Sequence, residues 1–199
     1  MSQRQATIKV KGSRPMIINC FTIDAIPLER RERTGVAGND PEEWKRSYKA
    51  TEKGQLYVDP NYIFGSLREG AKFTRKGNRT LQAPLSSTLQ ILDEKILINR
   101  FIPEGDIPFS DEEPVYIDVR PVKSPGSRGR NIRYRLALSK GWETEFSITW
   151  DNSIISTGEM KGICSDAGQF VGLADGRTMG FGRFEILDFK TNVIGDKSA

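Results

Sequence analysis

The sequence contains no histidine and only two cysteines among its 199 residues. Without histidine, one chain cannot form a Ser-His-Asp or Cys-His catalytic arrangement, an HExxH zinc site or a histidine general base. Cys20 and Cys164 stand far apart in apolar stretches, and neither has a second metal ligand beside it. We interpret both as buried reduced thiols, which are typical of cytosolic proteins, and we expect no cofactor. A disulfide between them is the less favoured alternative.

Long apolar runs are also missing, so the sequence offers no membrane span of about 20 residues. No apolar segment follows the polar residues Met1–Gln5, and a secretory signal is not expected. Hydrophobic residues make up 37% and charged residues 28% of the chain, which predicts a soluble, cytoplasmic protein without a membrane partner. The length suits a single domain over residues 1–199.

The charge is mildly basic but segregated along the chain. Lys and Arg number 30 against 26 Asp and Glu, which gives a net charge of +4. Basic residues gather in Arg30–Arg33, Lys72–Arg79 and Arg120–Arg135, whereas acidic residues gather in Glu104–Glu113. Segregation of this kind is typical of a surface that meets a polyanion.

Caps and apolar spacing predict two amphipathic helices. The first begins at Asp59-Pro60 and is expected to end at Gly77-Asn78. The second follows the capping-box spacing of Ser156 and Glu159 and is expected to end at Gly172. The expected buried stripes are Ile63, Leu67 and Ala71 in the first helix, and Met160, Ile163, Cys164, Ala167, Phe170 and Val171 in the second.

Alternating or apolar stretches predict strands at 6–12, 15–21, 115–119, 132–138, 146–150 and 181–189. Residues 88–92 and 95–98 are predicted to be two strands about a tight turn. The order of elements predicts an α+β fold: a ferredoxin- or RRM-like βαββαβ antiparallel sheet with two helices on one face and an inserted β-hairpin. We expect a protruding hairpin at about residues 115–138 and a loop insertion at about residues 29–53.

Residues 172–183 form a glycine-rich stretch between the second helix and the last strand. Closely spaced glycines allow positive φ and close backbone approach, and backbone amides beside arginines suit phosphate oxygens. The spacing excludes a Walker A loop and a Rossmann fingerprint. A helix C-cap followed by an ordinary turn explains the glycines equally well. The predicted nucleic-acid contacts here are Gly176, Arg177, Gly180, Gly182 and Arg183.

Two further basic clusters are predicted to contact a sugar-phosphate backbone. They are Arg68, Lys72, Arg75 and Lys76 on the first helix and its tail, and Arg128, Arg130, Arg133 and Arg135 on the hairpin. Arg133 and Arg135 are two apart and should share one face of their strand, with Tyr134 on the other. The alternative for both clusters is a charged, solvent-exposed surface that binds nothing.

The insertion combines basic residues with Trp44 and Tyr48, a pattern that favours stacking on unpaired bases or contact with another subunit. The alternative is that this loop packs against the body of its own domain. The carboxylates of the chain are scattered without the close spacing of a metal site. Asp40 or a neighbour is the candidate if the protein is a metal-dependent nuclease.

Two segments resemble motifs of the RAMP superfamily. Residues Ile63-Phe64-Gly65-Ser66-Leu67-Arg68-Glu69-Gly70-Ala71 resemble its G-S-S-L-[KR]-G-A-[LI]-R helix start. Residues Gly176-Arg177-Thr178-Met179-Gly180-Phe181-Gly182-Arg183-Phe184-Glu185-Ile186 resemble its C-terminal glycine-rich loop and last strand. That superfamily includes the backbone subunits of CRISPR effector complexes and the CRISPR RNA-processing endonucleases.

The resemblance implies an RRM- or ferredoxin-like fold, RNA as the partner in preference to DNA, and assembly into a homo-oligomer or larger ribonucleoprotein in antiviral defence. The short length suits a small, divergent or virus-borne relative. The processing endonucleases commonly use a histidine, which this chain lacks, and this favours a non-catalytic RNA-binding protein of the guide-RNA backbone type. Two other classes stay open: a structural or inhibitory protein-interaction module with the same fold, and a metal-dependent nuclease.

Overall fold

The computed structural model describes residues 2–20, 22, 40–123 and 130–193. Within these ranges the strands are β1 (Gln3–Gly12), β2 (Met16–Ile17), β3 (Lys49–Ala50), β4 (Gln55–Val58), β5 (Arg75–Lys76), β6 (Arg79–Thr80), β7 (Gln90–Ile91), β8 (Ile96–Phe101), β9 (Val115–Lys123), β10 (Arg130–Leu138), β11 (Glu143–Asp151) and β12 (Phe184–Val193). The α-helices are α1 (Pro60–Gly70), α2 (Gln82–Thr88) and α3 (Thr157–Asp166), and a π-helical turn (Ala167–Val171) continues α3. No helix in these ranges is long and apolar enough to cross a membrane.

Seven of the described strands form one antiparallel sheet in the order β12-β1-β11-β8-β4-β3, with β7 beside β11. The central strand β1 alternates between two environments. Ala6, Ile8 and Val10 are buried, while Lys9 and Lys11 between and beyond them point to the outer face. The inward residues of the sheet share one hydrophobic core with the buried residues of α1 and α3. The fold is therefore a mixed α+β fold with a mostly antiparallel sheet, as the sequence predicts.

A second, smaller sheet has the order β2-β10-β9. β9 and β10 pair residue by residue from Val115 opposite Leu138 to Lys123 opposite Arg130. The face that carries Ile117 and Leu136 joins the main core. The opposite face carries Tyr116 and Ala137, which cluster with Ile17 beneath Phe181 of the glycine-rich loop. The predicted tip of this hairpin lies outside the described residues, apart from Arg130.

The first predicted helix begins where expected but ends earlier. Asp59 is the N-cap and Pro60 the first helical residue, and the predicted stripe is buried. The helix ends at Gly70, where the π-helical turn lies close enough to require glycine: a Cβ atom at Gly70 would lie 2.8 Å from the Cβ and amide nitrogen of Ala167. Gly77, the predicted end, has a φ of +61° and turns the short ribbon β5–β6 instead.

The second helix carries the predicted capping box. The Glu159 amide donates to the Ser156 hydroxyl (3.3 Å), and the Ser156 amide donates to the Glu159 carboxylate (2.7 Å). Gly172 ends the π-helical turn with a φ of +89°. Phe170, predicted to be in the buried stripe, is exposed, because the wider π-helical turn shifts the phase of the side chains that follow Ala167.

The predicted segments 88–92 and 95–98 both contain a strand, β7 and β8, but the prediction that these strands pair with each other about a tight turn was wrong. Residues 82–88 are helical, with Leu81 and Leu85 buried four residues apart. Pro84 lies in the first turn of α2, where its missing amide costs no helical hydrogen bond. β7 is only two residues long and pairs with β11, while β8 pairs with β4 and β11.

The described part of the insertion packs against its own domain. Trp44 and Tyr48 stack with ring centroids 6.1 Å apart, and both pack against the main core. The sequence favoured stacking of these two rings on bases or contact with another subunit. The structure instead supports the alternative, in which they pack against their own domain. Residues 29–39 of the insertion lie outside the described ranges.

Candidate nucleic-acid interface

The glycine-rich loop is tied to the connection between β1 and β2. The Asp175 amide donates to the Ile17 carbonyl (3.0 Å), and the Gly182 amide donates to the Pro15 carbonyl (2.7 Å). The two legs of the loop meet closely, since the Leu173 amide donates to the Gly182 carbonyl (2.9 Å). A Cβ atom at Gly182 would lie 2.0 Å from the Leu173 carbonyl oxygen, so this approach requires glycine.

Most amides of this loop donate to oxygens of the chain itself. At the three glycines predicted to contact phosphate, the Gly176 amide donates to the Asp175 carboxylate (2.8 Å), the Gly180 amide to the Arg177 carbonyl (3.0 Å) and the Gly182 amide to Pro15. These amides are therefore occupied in the folded chain. The side chains of Arg177 and Arg183 are what the loop offers to a phosphate.

A cleft of about 950 Å³ lies between this loop and strand β9. Its walls come from the β1–β2 connection, from residues 109–111, from residues 116–120 of β9 and from residues 179–183 of the loop. Gln169 of the π-helical turn completes it. The cleft thus lies where the smaller sheet, the β1–β2 connection and the glycine-rich loop come together.

Three arginines line the cleft: Arg14, Arg120 and Arg183. Arg120 forms a two-pronged ion pair with the buried carboxylate of Asp118, and this pairing raises its pKa. Arg14 is exposed, and neither Arg14 nor Arg183 has an ion-pair partner among the described residues. The Nη1 of Arg183 is buried with no hydrogen-bond acceptor among them, and the loss of hydration lowers the pKa of this guanidinium.

Exposed apolar side chains lie beside these cations. Phe109 and Met179 are 66% and 55% exposed, although both line the cleft. The guanidinium of Arg120 lies over the ring of Phe181, with its carbon 4.4 Å from the ring centroid. Burial raises the pKa of Tyr116 to about 12, so its hydroxyl is protonated at neutral pH. The cleft can therefore offer positive charge and a flat apolar surface to one ligand.

The acidic lining of the cleft is smaller than the basic lining. It consists of Asp118, already bound to Arg120, and the exposed Asp111 at the rim. Arg183 as a residue is partly exposed, and only its Nη1 atom is buried without an acceptor. A buried polar atom without a hydrogen-bond partner is costly, so this guanidinium is a candidate to bind an anion.

The predicted arginines of the hairpin are separated by the structure. Arg133 and Arg135 share one strand face, as expected, but each is engaged within the chain. Arg133 pairs with Glu43, and Arg135 is 7% exposed and pairs with Asp175 at 2.7 Å. Arg130 is exposed at the start of β10, and Arg128 lies outside the described residues. In the structure these two ion pairs link the hairpin to the insertion and to the glycine-rich loop, and phosphate contact by Arg133 and Arg135 stays a prediction.

The first-helix cluster lies on two separate elements. Arg68 and Lys72 belong to α1 and the turn after it, and both lie within ion-pair distance of Glu69. Arg75 and Lys76 form β5 of the exposed ribbon instead of a helical tail. None of the four is among the residues that line the cleft.

The structure thus brings Gly180 and Arg183 of the predicted set into one cleft, and it adds residues that the sequence prediction missed. Arg120 lies in a basic stretch that the sequence had marked, so that signal could have found it. Arg14 lies in a polar connection between two strands, and Phe109 lies in the acidic stretch; neither has a local pattern that distinguishes it.

Two other regions are electrostatically balanced. On the outer face of the large sheet, Lys9 and Lys11 face Glu143 at 3.0 and 3.8 Å. Asp40, the nuclease candidate, pairs with Arg46 and accepts the Glu42 amide (3.0 Å). In the part of the chain that the structure describes, no three acidic, cysteine or histidine side chains are grouped closely enough to hold a metal ion.

Comparison with known proteins finds similarity at the level of the fold. No protein-family model and no curated protein matches the sequence. A chain in the "Cryo-EM structure of the Type III-B Cmr-beta bound to cognate target RNA" matches with a TM-score of 0.54 and 10% sequence identity. The match covers 96% of this chain and 61% of that chain, so this protein spans less than two thirds of its structural neighbour. This likeness shows a shared fold.

Proposed function

We propose that this protein binds single-stranded RNA without cleaving it, in the cleft between the glycine-rich loop and β9. The observation that carries the proposal is the pair Arg14 and Arg183: two guanidinium groups in one cleft, with no carboxylate partner among the described residues and one nitrogen buried without an acceptor. Phosphate oxygens accept hydrogen bonds from guanidinium groups in a favourable geometry.

Single-stranded RNA suits the cleft better than a duplex. The exposed surfaces of Phe109 and Met179 lie beside the arginines, and unpaired bases bind to apolar and aromatic side chains of this kind. A duplex hides its base faces and would use only the cations. Arg177 and Arg130, from the sequence prediction, are proposed to extend the basic surface.

The structural neighbour also supports RNA as the ligand, because it comes from a complex that was determined bound to target RNA. We propose a role in CRISPR-type defence within a ribonucleoprotein.

We also propose that β1-α1-β8-β11-α3-β12 forms a ferredoxin-like βαββαβ unit, with α2, β7 and the smaller sheet as insertions. The strand order β12-β1-β11-β8 supports this assignment.

We also propose that several copies of the protein assemble along one RNA, and a separate measurement tests this assembly. Light scattering on complexes with RNAs of increasing length should give masses that rise by one protein mass at a time. A complex that keeps one copy of the protein on every length of RNA would contradict assembly, while leaving the cleft proposal intact.

The test of the cleft is the affinity for a fluorescent single-stranded RNA, measured by anisotropy at fixed salt. We expect the double variant Arg14→Ala/Arg183→Ala to bind about tenfold more weakly or worse, because two charge-assisted contacts are lost. The matched control is Lys53→Ala/Lys95→Ala, which removes the same charge from exposed turns that do not line the cleft. Equal affinities for the two double variants would refute the cleft as the binding site.

A second candidate is a protein-interaction module. Leu97 and Phe101 favour it, because both are exposed on the outer face of β8, opposite to the buried Ile96 and Ile98. The ratio of absorbance at 260 and 280 nm of the purified protein separates the candidates. A ratio typical of pure protein, together with no RNA binding in the anisotropy assay, would favour the interaction module.

A further inference from the structure

Two exposed phenylalanines contact each other near the ends of α1 and α3, with tilted ring planes. Phe73, in the turn after α1, is 54% exposed, and Phe170, in the π-helical turn, is 50% exposed. Their ring centroids are 4.9 Å apart, with the planes inclined by 41°. Both residues therefore stay about half exposed although each has an aromatic partner, and together they form an apolar step on the surface.

The backbone beneath the step is fixed by close packing. A Cβ atom at Gly70 would lie 2.8 Å from Ala167, and a Cβ atom at Gly168 would lie 2.2 Å from the Phe184 carbonyl oxygen. These contacts hold the end of α1 against the π-helical turn. The π-helical turn itself makes Phe170 exposed, because regular α-helical spacing would have placed it in the buried stripe.

A basic ribbon begins two residues after Phe73. Its strands β5 and β6 carry Arg75, Lys76 and Arg79, all exposed. Neither Arg75 nor Arg79 has an ion pair with another described residue, while Lys76 lies 3.7 Å from Glu159. The Thr74 hydroxyl donates to Asp166 (3.0 Å), which anchors the start of the ribbon to α3.

The nearby carboxylates are already engaged. Glu69 accepts from Lys72 and from the Gln82 amide group (3.2 Å), Glu159 belongs to the capping box, and Asp166 accepts from Thr74. The free charge beside the aromatic step is thus positive. Aromatic surface with adjacent cations is the combination that binds single-stranded nucleic acid without sequence preference.

The step is adjacent to the cleft along the chain. Gln169 lines the cleft, and Phe170 is the next residue on the same π-helical turn, although neither Phe73 nor Phe170 is among the residues that line the cleft.

We propose that the Phe73–Phe170 step is a second contact for the single-stranded RNA, which stacks one base on the exposed rings and sets adjacent phosphates against Arg75 and Arg79. This inference rests on the proposed function. It adds a base-stacking subsite outside the cleft, on residues of which only Arg75 belongs to the sequence-predicted contacts.

The test uses the full chain with Phe73→Leu/Phe170→Leu, which keeps apolar bulk but removes the aromatic faces. We expect this variant to bind single-stranded RNA about tenfold more weakly, since stacking of one base is lost. Its affinity for an abasic RNA backbone of the same length should equal that of the wild type. The matched control is Phe101→Leu, because Phe101 is also 54% exposed.

A second readout does not depend on how the variant folds. Wild-type protein cross-linked to 4-thiouridine RNA should give adducts at Phe73 or Phe170 in peptide mass spectra. If Phe73→Leu/Phe170→Leu binds RNA as tightly as the wild type while Arg14→Ala/Arg183→Ala binds it more weakly, the stacking proposal is overturned and the cleft proposal stands. If the wild type does not bind RNA, both the stacking proposal and the proposed function are overturned. A change of oligomeric state in the leucine variant at unchanged RNA affinity would identify a contact between copies and also overturn the step.

Discussion

Individual arginines have different roles in this fold, and each role depends on residues that are far away in the sequence. Arg135 is buried against Asp175 and helps to hold the hairpin on the glycine-rich loop. Arg183, within that loop, has no carboxylate partner among the described residues. The sequence marks both as basic residues of predicted nucleic-acid contacts. The sequence alone could not distinguish them, because the distinction lies in which carboxylates reach them after folding.

Glycines of the same loop differ in a way that stability measurements can resolve. Gly182 has a φ of +69° and lies against the Leu173 carbonyl, whereas Gly180 has a φ of +86° and no atom within 4 Å of a built Cβ. We expect Gly180→Ala to lower the free energy of unfolding by about 1–2 kcal/mol, the cost of a left-handed conformation. Gly182→Ala should cost more than about 3 kcal/mol, because the backbone of Leu173 must also move.

Urea unfolding of the two alanine variants measures this difference, with equal slopes in denaturant as the internal check. If Gly182→Ala cost no more than Gly180→Ala, the close approach of the two loop legs would not be what requires glycine there.

At the scale of elements, local signals predicted the starts of helices better than their ends. Asp59-Pro60 and the capping box after Ser156 are encoded within four residues, and both starts are confirmed. At the end of α1, Gly70 lies against Ala167, a contact that no local pattern reveals. The π-helical turn that exposes Phe170 likewise lies against β12 at Gly168, far away in the sequence.

The capping box of α3 predicts a pH dependence of stability. Hydrogen bonds from the Ser156 amide and hydroxyl hold the pKa of Glu159 below its ordinary value of 4.5. The unfolded chain therefore binds this proton more readily than the folded chain does. The stabilisation is complete above pH 4.5 and is lost as the pH falls through the lowered pKa of the folded state.

The comparison of the wild type with Glu159→Gln tests this, because glutamine can still accept a hydrogen bond at this position but does not titrate. We expect the wild type to have the higher urea midpoint at pH 7 and the gap to shrink as the pH falls below 4.5. A gap that stays constant over that range would mean that the carboxylate charge does not strengthen the cap.

At the scale of the whole molecule, the cleft exists because the glycine-rich loop, the β1–β2 connection and β9 come together. The sequence predicted the mixed α+β fold, the buried thiols and the glycine-rich loop as a site candidate. It did not predict the cleft, whose walls come from the β1–β2 connection, β9 and residues 109–111, far apart along the chain. Arg14 and Phe109 acquire their position from this assembly of walls, and neither carries a sequence signal of its own.

The most direct test of the account is the salt dependence of RNA affinity for the wild type and for Arg14→Ala/Arg183→Ala. Contacts to the phosphates of a single strand make the logarithm of the association constant fall linearly with the logarithm of salt concentration, by about 0.7 per phosphate. We predict a steep slope for the wild type and a slope reduced by about 1.4 in the double variant, one phosphate for each arginine removed. A flat response in the wild type, or equal slopes in the two proteins, would contradict the claim that these guanidinium groups hold the RNA backbone.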